Sequence, residues 1–159
     1  MPVDQQEFRS LMGHFATGVT ILTTHDGEGT LHGLTANAIC SVSLVPPLLL
    51  CCIDKGAESY PSFAASGVFT VNILSSEQET LSRRFAKSGG AKFDGVGYRL
   101  GRNGAPILND VLAHAECEVR HAFDAGDHTI YLGEPLEIAM RDQTDPLLFF
   151  RGGYRNIRA

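Results

Sequence analysis

The chain has 159 residues, 43% apolar and 19% charged, which suits one folded domain and excludes disorder throughout. Its formal net charge is −5, with no run of Lys and Arg and no Trp, so no nucleic-acid partner and no base-stacking platform are expected. The longest apolar run, residues 44–53, holds Pro46 and Pro47 and is far shorter than the roughly 20 residues of a bilayer span; residues 1–10 lack a basic region followed by an apolar one, so no membrane span and no signal peptide are expected and the reading is a cytoplasmic protein.

The first element is a helix. Asp4 caps it, and Glu7 stands three residues on as a capping-box partner. Phe8, Leu11, Met12 and Phe15 then share one face, which is expected to pack on the domain, and Gly18 is the stop. The period changes at residue 19. Residues 19–24 read as a β-branched strand, and Asp26-Gly-Glu-Gly29 turns it into a hairpin partner at residues 31–34. Residues 41–44 form a short alternating strand, Pro46-Pro47 ends it, and residues 48–53 read as a buried strand.

Ser59 caps a short helix with Pro61 in its first turn and Gly67 past its end, and residues 68–74 are another strand. Ser76 with Glu79 gives a second capping box, for a helix ending near Lys87. Residues 89–104 read as a long Gly-rich loop, a kind that is often functional. Two strands follow at residues 113–123 and 129–140, around the turn Asp124-Ala-Gly-Asp127, and a last one at residues 147–151 precedes Gly152-Gly153. Six or seven strands and three short helices, with hairpins rather than helical crossovers, predict a mainly β antiparallel barrel with helical decoration. No repeat or linker interrupts residues 1–159, which read as a single domain.

Several chemistries fail on the residues. Gly95-Val-Gly-Tyr-Arg-Leu-Gly101 has the wrong spacing for a dinucleotide fingerprint and sits in the loop; no phosphate loop and no GxSxG elbow occur. His114, His121 and His128 recur at sevens, a spacing that alternates strand faces, so no metal site is expected. Cys40, Cys51, Cys52 and Cys117 form no CxxC pair and read as buried, reduced thiols. No Ser or Cys shows a recognisable His/Asp arrangement.

A different set of strings survives. Gly33-Leu-Thr-Ala-Asn-Ala38, then Ser41-Val-Ser-Leu44 and Pro46-Pro-Leu48, resembles the flavin-binding signature of the flavin reductase domain family. So do Phe69-Thr-Val-Asn-Ile-Leu74, Arg84-Phe85-Ala86, Gly126-Asp-His-Thr-Ile130 and the ending Leu147-Leu-Phe-Phe-Arg-Gly-Gly-Tyr154. These motifs come in the family's order and cover nearly the whole chain. Taken singly, residues 35–38 read as a hairpin exit, Ser41 and Ser43 as a polar strand face, Arg84 as a solvated helix residue and His128 as a turn histidine. The joint match is what gives them a role.

The resemblance implies a split β-barrel of the FMN-binding type that forms a homodimer, with flavin near the subunit interface. It implies an NAD(P)H:flavin oxidoreductase, in which NADH or NADPH stacks on FMN or FAD and passes a hydride from nicotinamide C4 to flavin N5. Reduced flavin would then go to a separate oxygenase component. By the same resemblance, Thr35, Ala36, Asn37 and Ala38 lie at the flavin ring, and Ser41 and Ser43 line its ribityl and phosphate path. Cys52, Ile53, Asp54 and Ser59 border the cofactor. Arg84 holds the phosphate, with Phe85 as apolar neighbour. His128 is the catalytic candidate, orienting the nicotinamide, and Arg151, Gly152, Gly153 and Tyr154 face the same nucleotide. Two other readings stand beside this one: a flavoprotein that keeps its flavin and reduces a metal ion or corrinoid, and a non-catalytic flavin-binding module.

Overall fold

The computed structural model describes residues 2–142 and 144–157. Helix α1 (Gln5–Gly13) starts where the capping box places it: the Asp4 carboxylate accepts the Gln6 N–H at 2.6 Å, and the Glu7 carboxylate accepts the Asp4 N–H at 3.4 Å. It stops at His14, ahead of Gly18. Its apolar stripe does not pack on the domain as expected. Phe8, Leu11, Met12 and Phe15 are all exposed, Phe15 to 70%. The cores are filled from the sheet and the other two helices, and α1 is tied to the rest at its end, where Arg151 N–H donates to Gly13 O at 2.8 Å.

The strands are β1 (Thr17–Gly18), β2 (Thr20–His25), β3 (Leu31–Ala36), β4 (Ile39–Leu44), β5 (Pro47–Asp54) and β6 (Val68–Ile73) in the first half. The second half gives β7 (Tyr98–Leu100), β8 (Pro106–Leu108), β9 (Ala113–Ala125), β10 (His128–Met140), β11 (Leu148–Phe150) and β12 (Gly153–Arg155). Seven of them form one antiparallel sheet in the order β3-β2-β6-β9-β10-β5-β4. β1, β11 and β12 make a second sheet, and β7 pairs with β8.

The long sheet must curl. Its edge strands β3 and β4 are joined by Asn37 and Ala38 alone. Flat, seven strands would hold their edges about 29 Å apart, whereas three Cα steps reach at most about 11 Å. The edges meet at that link but share no ladder, so the sheet is curled and open rather than a closed barrel. The cause is local. Ala38 O accepts the Cys52 N–H at 3.1 Å, which draws the chain onto β5 and away from β3.

Strand β2 is buried on both faces, and its two-residue period divides the cores. Leu22 joins Cys51, Ile53, Phe69, Val71, Cys117 and Tyr131, with Phe63 of α2 (Tyr60–Ser66). Ile21 joins Val19, Leu74, Leu108, Val111 and Leu147, with Phe85 of α3 (Glu79–Phe85). Burying one such side chain contributes roughly 1.5–3 kcal/mol.

Three local expectations shift. The second capping box falls on Ser75 and Gln78, because Ser76 N–H is taken by Asp145 O at 2.8 Å and Ser76–Gln78 forms a 3-10 turn ahead of α3. Residues 89–104 are not wholly irregular, since they contain β7. Buried polar side chains hold that hairpin: Asn72 Oδ1 accepts the Leu108 N–H at 2.9 Å, Thr23 Oγ1 donates to Pro106 O at 2.5 Å, and Glu116 Oε2 accepts the Asn103 N–H at 3.1 Å. The thiols divide: Cys51 and Cys117 are buried and Cys52 half-buried, but Cys40 is exposed on edge strand β4. No helix among the described residues is long and apolar enough to cross a membrane.

Candidate active site

A cavity of about 500 Å³ lies where β3, α3 and the β11–β12 hairpin meet. Thr35, Ala36 and Asn37 form one wall. Phe149, Gly152 and Tyr154 form the facing wall, and Arg83 of α3 with Ala86 and Lys87 just past its end close the third side. Each wall has a physical reason. Gly33 lets Phe85 pack directly under β3, because a Cβ there would stand 2.8 Å from the Phe85 ring. Thr35 Oγ1 donates to Ser82 O at 2.6 Å, and Thr20 Oγ1 donates to Ala36 O at 2.6 Å, which fixes the β3 end. Arg151 and Gly152 both have positive φ, 49° and 73°, the conformation of a tight two-residue hairpin turn, and this folds Tyr154 back beside Phe149.

Tyr154 is held on three sides. Its hydroxyl lies 2.7 Å from Ser82 Oγ, Phe149 meets its ring edge-on at 5.4 Å, and the Arg83 guanidinium lies 4.7 Å over its ring. Arg83 is also paired with Glu79 one turn back, at 2.7 Å. The cavity thus combines an aromatic wall, small side chains beside an unpaired strand edge and two cations. This set fits a flat heteroaromatic ring carrying an anionic tail.

The structure brings together Thr35, Ala36, Asn37, Gly152 and Tyr154 from the sequence-derived set. Ala38 is exposed at the link just beyond, and Gly153 stands in β12 beside Tyr154. Arg84 faces elsewhere. It lines a neighbouring cleft of about 760 Å³ that shares Arg83 and Lys87 with the first and adds Lys92. Phe85 and Ile53 are core side chains, so any contact they make with a cofactor goes through backbone. Ser59 is buried at the start of α2 with its Oγ unpartnered, on the wall of a third cavity of about 380 Å³ that also includes Gly33.

The remaining candidates do not line that cavity. Ser41 and Ser43 lie on β4, where Ser43 Oγ accepts the Val45 N–H at 3.2 Å. Cys52 and Asp54 lie on β5, and Asp54 Oδ1 accepts the Gly56 N–H at 2.7 Å. His128 starts β10 directly across the ladder from Asp54, with Nδ1 2.7 Å from Asp127 Oδ1. The hydrogen bond and charge of that imidazole hold the Asp127 carboxyl below its ordinary value. Lys55 pins the same turn through Asp124 and Gly126 O. Arg151 is exposed, its guanidinium over Phe150 at 5.1 Å. Within one chain, His128 and the wall formed by Thr35–Asn37 are therefore not neighbours in the cavity. Among the described residues no group of three metal-ligating side chains forms.

Arg83, Lys87 and Phe149 line the cavity and Ser82 bonds to two of its lining residues; the sequence singled out none of these four. A signal for one of them was present: on α3 Arg84 is turned about 100° from Arg83, so only one of the two can face the cavity, while Lys87 lies just past the helix end.

A curled antiparallel sheet with this cavity beside its open edge has the form of a protein that takes a flat ring with an anionic tail. The chain belongs to the Flavin reductase like domain family, whose profile matches residues 12–158. It is 38% identical over 157 residues to a flavin reductase of Pseudomonas putida, covering 99% of this chain and 92% of that one. It is 37% identical over 155 residues to the reductase subunit HsaB of a flavin-dependent monooxygenase of Rhodococcus jostii, covering 98% and 79%. Among solved structures, the Streptomyces globisporus NADH:FAD oxidoreductase in complex with NAD and FAD fragments superposes with a TM-score of 0.92 at 36% identity, over 99% of this chain and 97% of that one.

Proposed function

We propose that this chain, acting as one domain over residues 1–159, is an NAD(P)H:flavin oxidoreductase that reduces FMN or FAD and hands reduced flavin to a separate monooxygenase component. The observation that carries the reading is the cavity itself, which sets Thr35, Ala36 and Asn37 against Gly152 and Tyr154 with Arg83 and Lys87 between them. The chemistry supplied by the bound nucleotides is transfer of a hydride from nicotinamide C4 to flavin N5. The protein's own part is placement. Ala36 and Asn37 leave room for a ring beside the free edge of β3, Arg83 and Lys87 neutralise phosphate, and Tyr154 with Phe149 keep water from one face. NADH is the favoured donor, since the Streptomyces globisporus relative is an NADH:FAD oxidoreductase.

A homodimer belongs to this reading. Leu44 and Val45, at the tip of the β4–β5 hairpin, are 89% and 92% exposed, and the α1 stripe is bare as well, so a second copy has apolar surface to cover. Ser41, Ser43, Cys52, Asp54 and His128, which lie outside the cavity of one chain, would then complete the site toward the ribityl chain and the nicotinamide. A cytoplasmic setting also fits, because all four cysteines are free.

The test is a steady-state assay of purified protein that crosses NADH and NADPH with FMN, FAD and riboflavin. Flavin-dependent loss of nicotinamide absorbance is expected. Its absence with every pair would sink the reading, and tightly held flavin with negligible turnover of added flavin would favour a resident-flavin reductase instead.

A further inference from the structure

Ser82 is fully buried in α3, yet it touches both walls of the cavity. Its carbonyl accepts Thr35 Oγ1–H from β3 at 2.6 Å, and its hydroxyl lies 2.7 Å from the Tyr154 hydroxyl of β12. These partners stand 47 and 72 residues away in the chain. A serine inside a helix ordinarily turns its hydroxyl back to the carbonyl one turn earlier. Ser82 instead reaches across to another element. An alanine would fill the same helical position with better propensity, so helix formation does not explain the hydroxyl.

We propose that Ser82 is a positioning residue for the reductase reaction: one buried residue holds Thr35 on the flavin wall through its carbonyl and Tyr154 on the nicotinamide wall through its hydroxyl, and so sets the gap between them. The inference rests on the reading of the cavity as a flavin and nicotinamide site. Its two arms are separable. Ser82→Ala removes only the hydroxyl arm and leaves the carbonyl for Thr35. Tyr154→Phe breaks the same bond from the half-buried end and keeps the ring under Arg83, which covers the case in which Ser82→Ala fails to fold.

The experiment measures KM for NADH and for flavin in Ser82→Ala, Tyr154→Phe and the double variant, with Ile107→Val, a core truncation away from the cavity, as the stability control. Each single variant is expected to raise KM for NADH by roughly two- to tenfold, the loss of one neutral hydrogen bond, and by more than it raises the flavin KM. The double variant is expected to be no worse than the worse single one, because both remove the same bond. Amide hydrogen exchange is the second readout: in Ser82→Ala the β12 amides exchange faster and those of β9 do not. The proposal is overturned if Ser82→Ala lowers the thermal midpoint as the control does with both KM values unchanged, or if β12 exchange stays at the wild-type rate. A wild-type protein without flavin-dependent NADH oxidation would defeat the functional reading instead, and β12 exchange would still decide the role of Ser82.

Discussion

Gly33 is the residue where packing and site meet most directly, and Gly33→Ala measures the link. The added methyl would stand 2.8 and 2.9 Å from Phe85 Cε1 and Cδ1 and 3.2 Å from Leu22 O. Ordinary carbon contacts lie at about 3.5–4 Å, so the ring must retreat by roughly 0.7 Å. It has nowhere to go, since Phe85 is fully buried and Phe93 stands edge-on against it at 5.0 Å. Overpacking of this kind costs about 1–3 kcal/mol. For a chain of this length that is a fall of about 2–12 °C in Tm. Displacing Phe85 also displaces the end of α3, which carries Arg83 and leads into Lys87, so KM for flavin should rise in the same variant. Urea unfolding and flavin titration read the two effects. Gly33→Ala combined with Phe85→Leu should lose less stability than the two changes summed, because the smaller side chain makes room for the methyl. A Gly33→Ala protein within about 0.5 kcal/mol of wild type, with strictly additive behaviour in the double variant, would refute the packing argument.

Other outcomes follow from the same geometry. Arg83→Ala should raise KM for the nucleotide by roughly tenfold or more, the loss of a charge-assisted contact, and more than Arg84→Ala does; equal effects would count against Arg83 as the cavity's cation. A thiol reagent should modify Cys40 first and Cys52 more slowly, and reach Cys51 and Cys117 only on unfolding, because burial pushes the Cys117 thiol up to about 12 and the Cys51 thiol higher still. Mass spectrometry of partly labelled protein checks the order. Burial, and after it the Arg99 charge, hold His114 below the ordinary imidazole value of 6.5, and its Nε2 is buried without a partner. The unfolded chain therefore takes up this proton more readily, so stability contributed by the neutral ring is complete above about pH 6.5 and lost as pH falls toward the lower folded value. Denaturation series across that window should show a slope that flattens in His114→Leu; an unchanged slope would assign the effect to other groups.

What the sequence made legible was local. The Asp4–Glu7 box, the Asp26-Gly-Glu-Gly29 turn and the turn before His128 each carry their geometry in adjacent residues, and each fell within a residue or two of its place. The β7–β8 hairpin did not, because Asn72 and Thr23 hold it from strands 36 and 83 residues away and Glu116 from the strand that follows. The exposed α1 stripe departs from its periodicity for a related reason: periodicity reports an apolar face but not what covers it. In the cavity, Thr35 and Asn37 line one wall and Tyr154 the facing one, a pairing of distant segments that only the fold sets, and the phase of α3 turns Arg83 rather than Arg84 toward them. His128 opens β10 after the expected turn, and its absence from the cavity lining of one chain is set by the fold and carried by no motif.

The seam between β3 and β4 has a mechanical meaning. Every other junction in the long sheet is held by a ladder of hydrogen bonds, which resists shear at each rung. Here the opening is limited by a tether, the short link of Asn37 and Ala38, and a tether resists only stretching. The lips of the seam can slide or part a little at little cost in hydrogen bonding, up to a stop fixed by chain length. Widening the seam for a flat ligand beside β3 would therefore break no ladder and would stop where the link is taut.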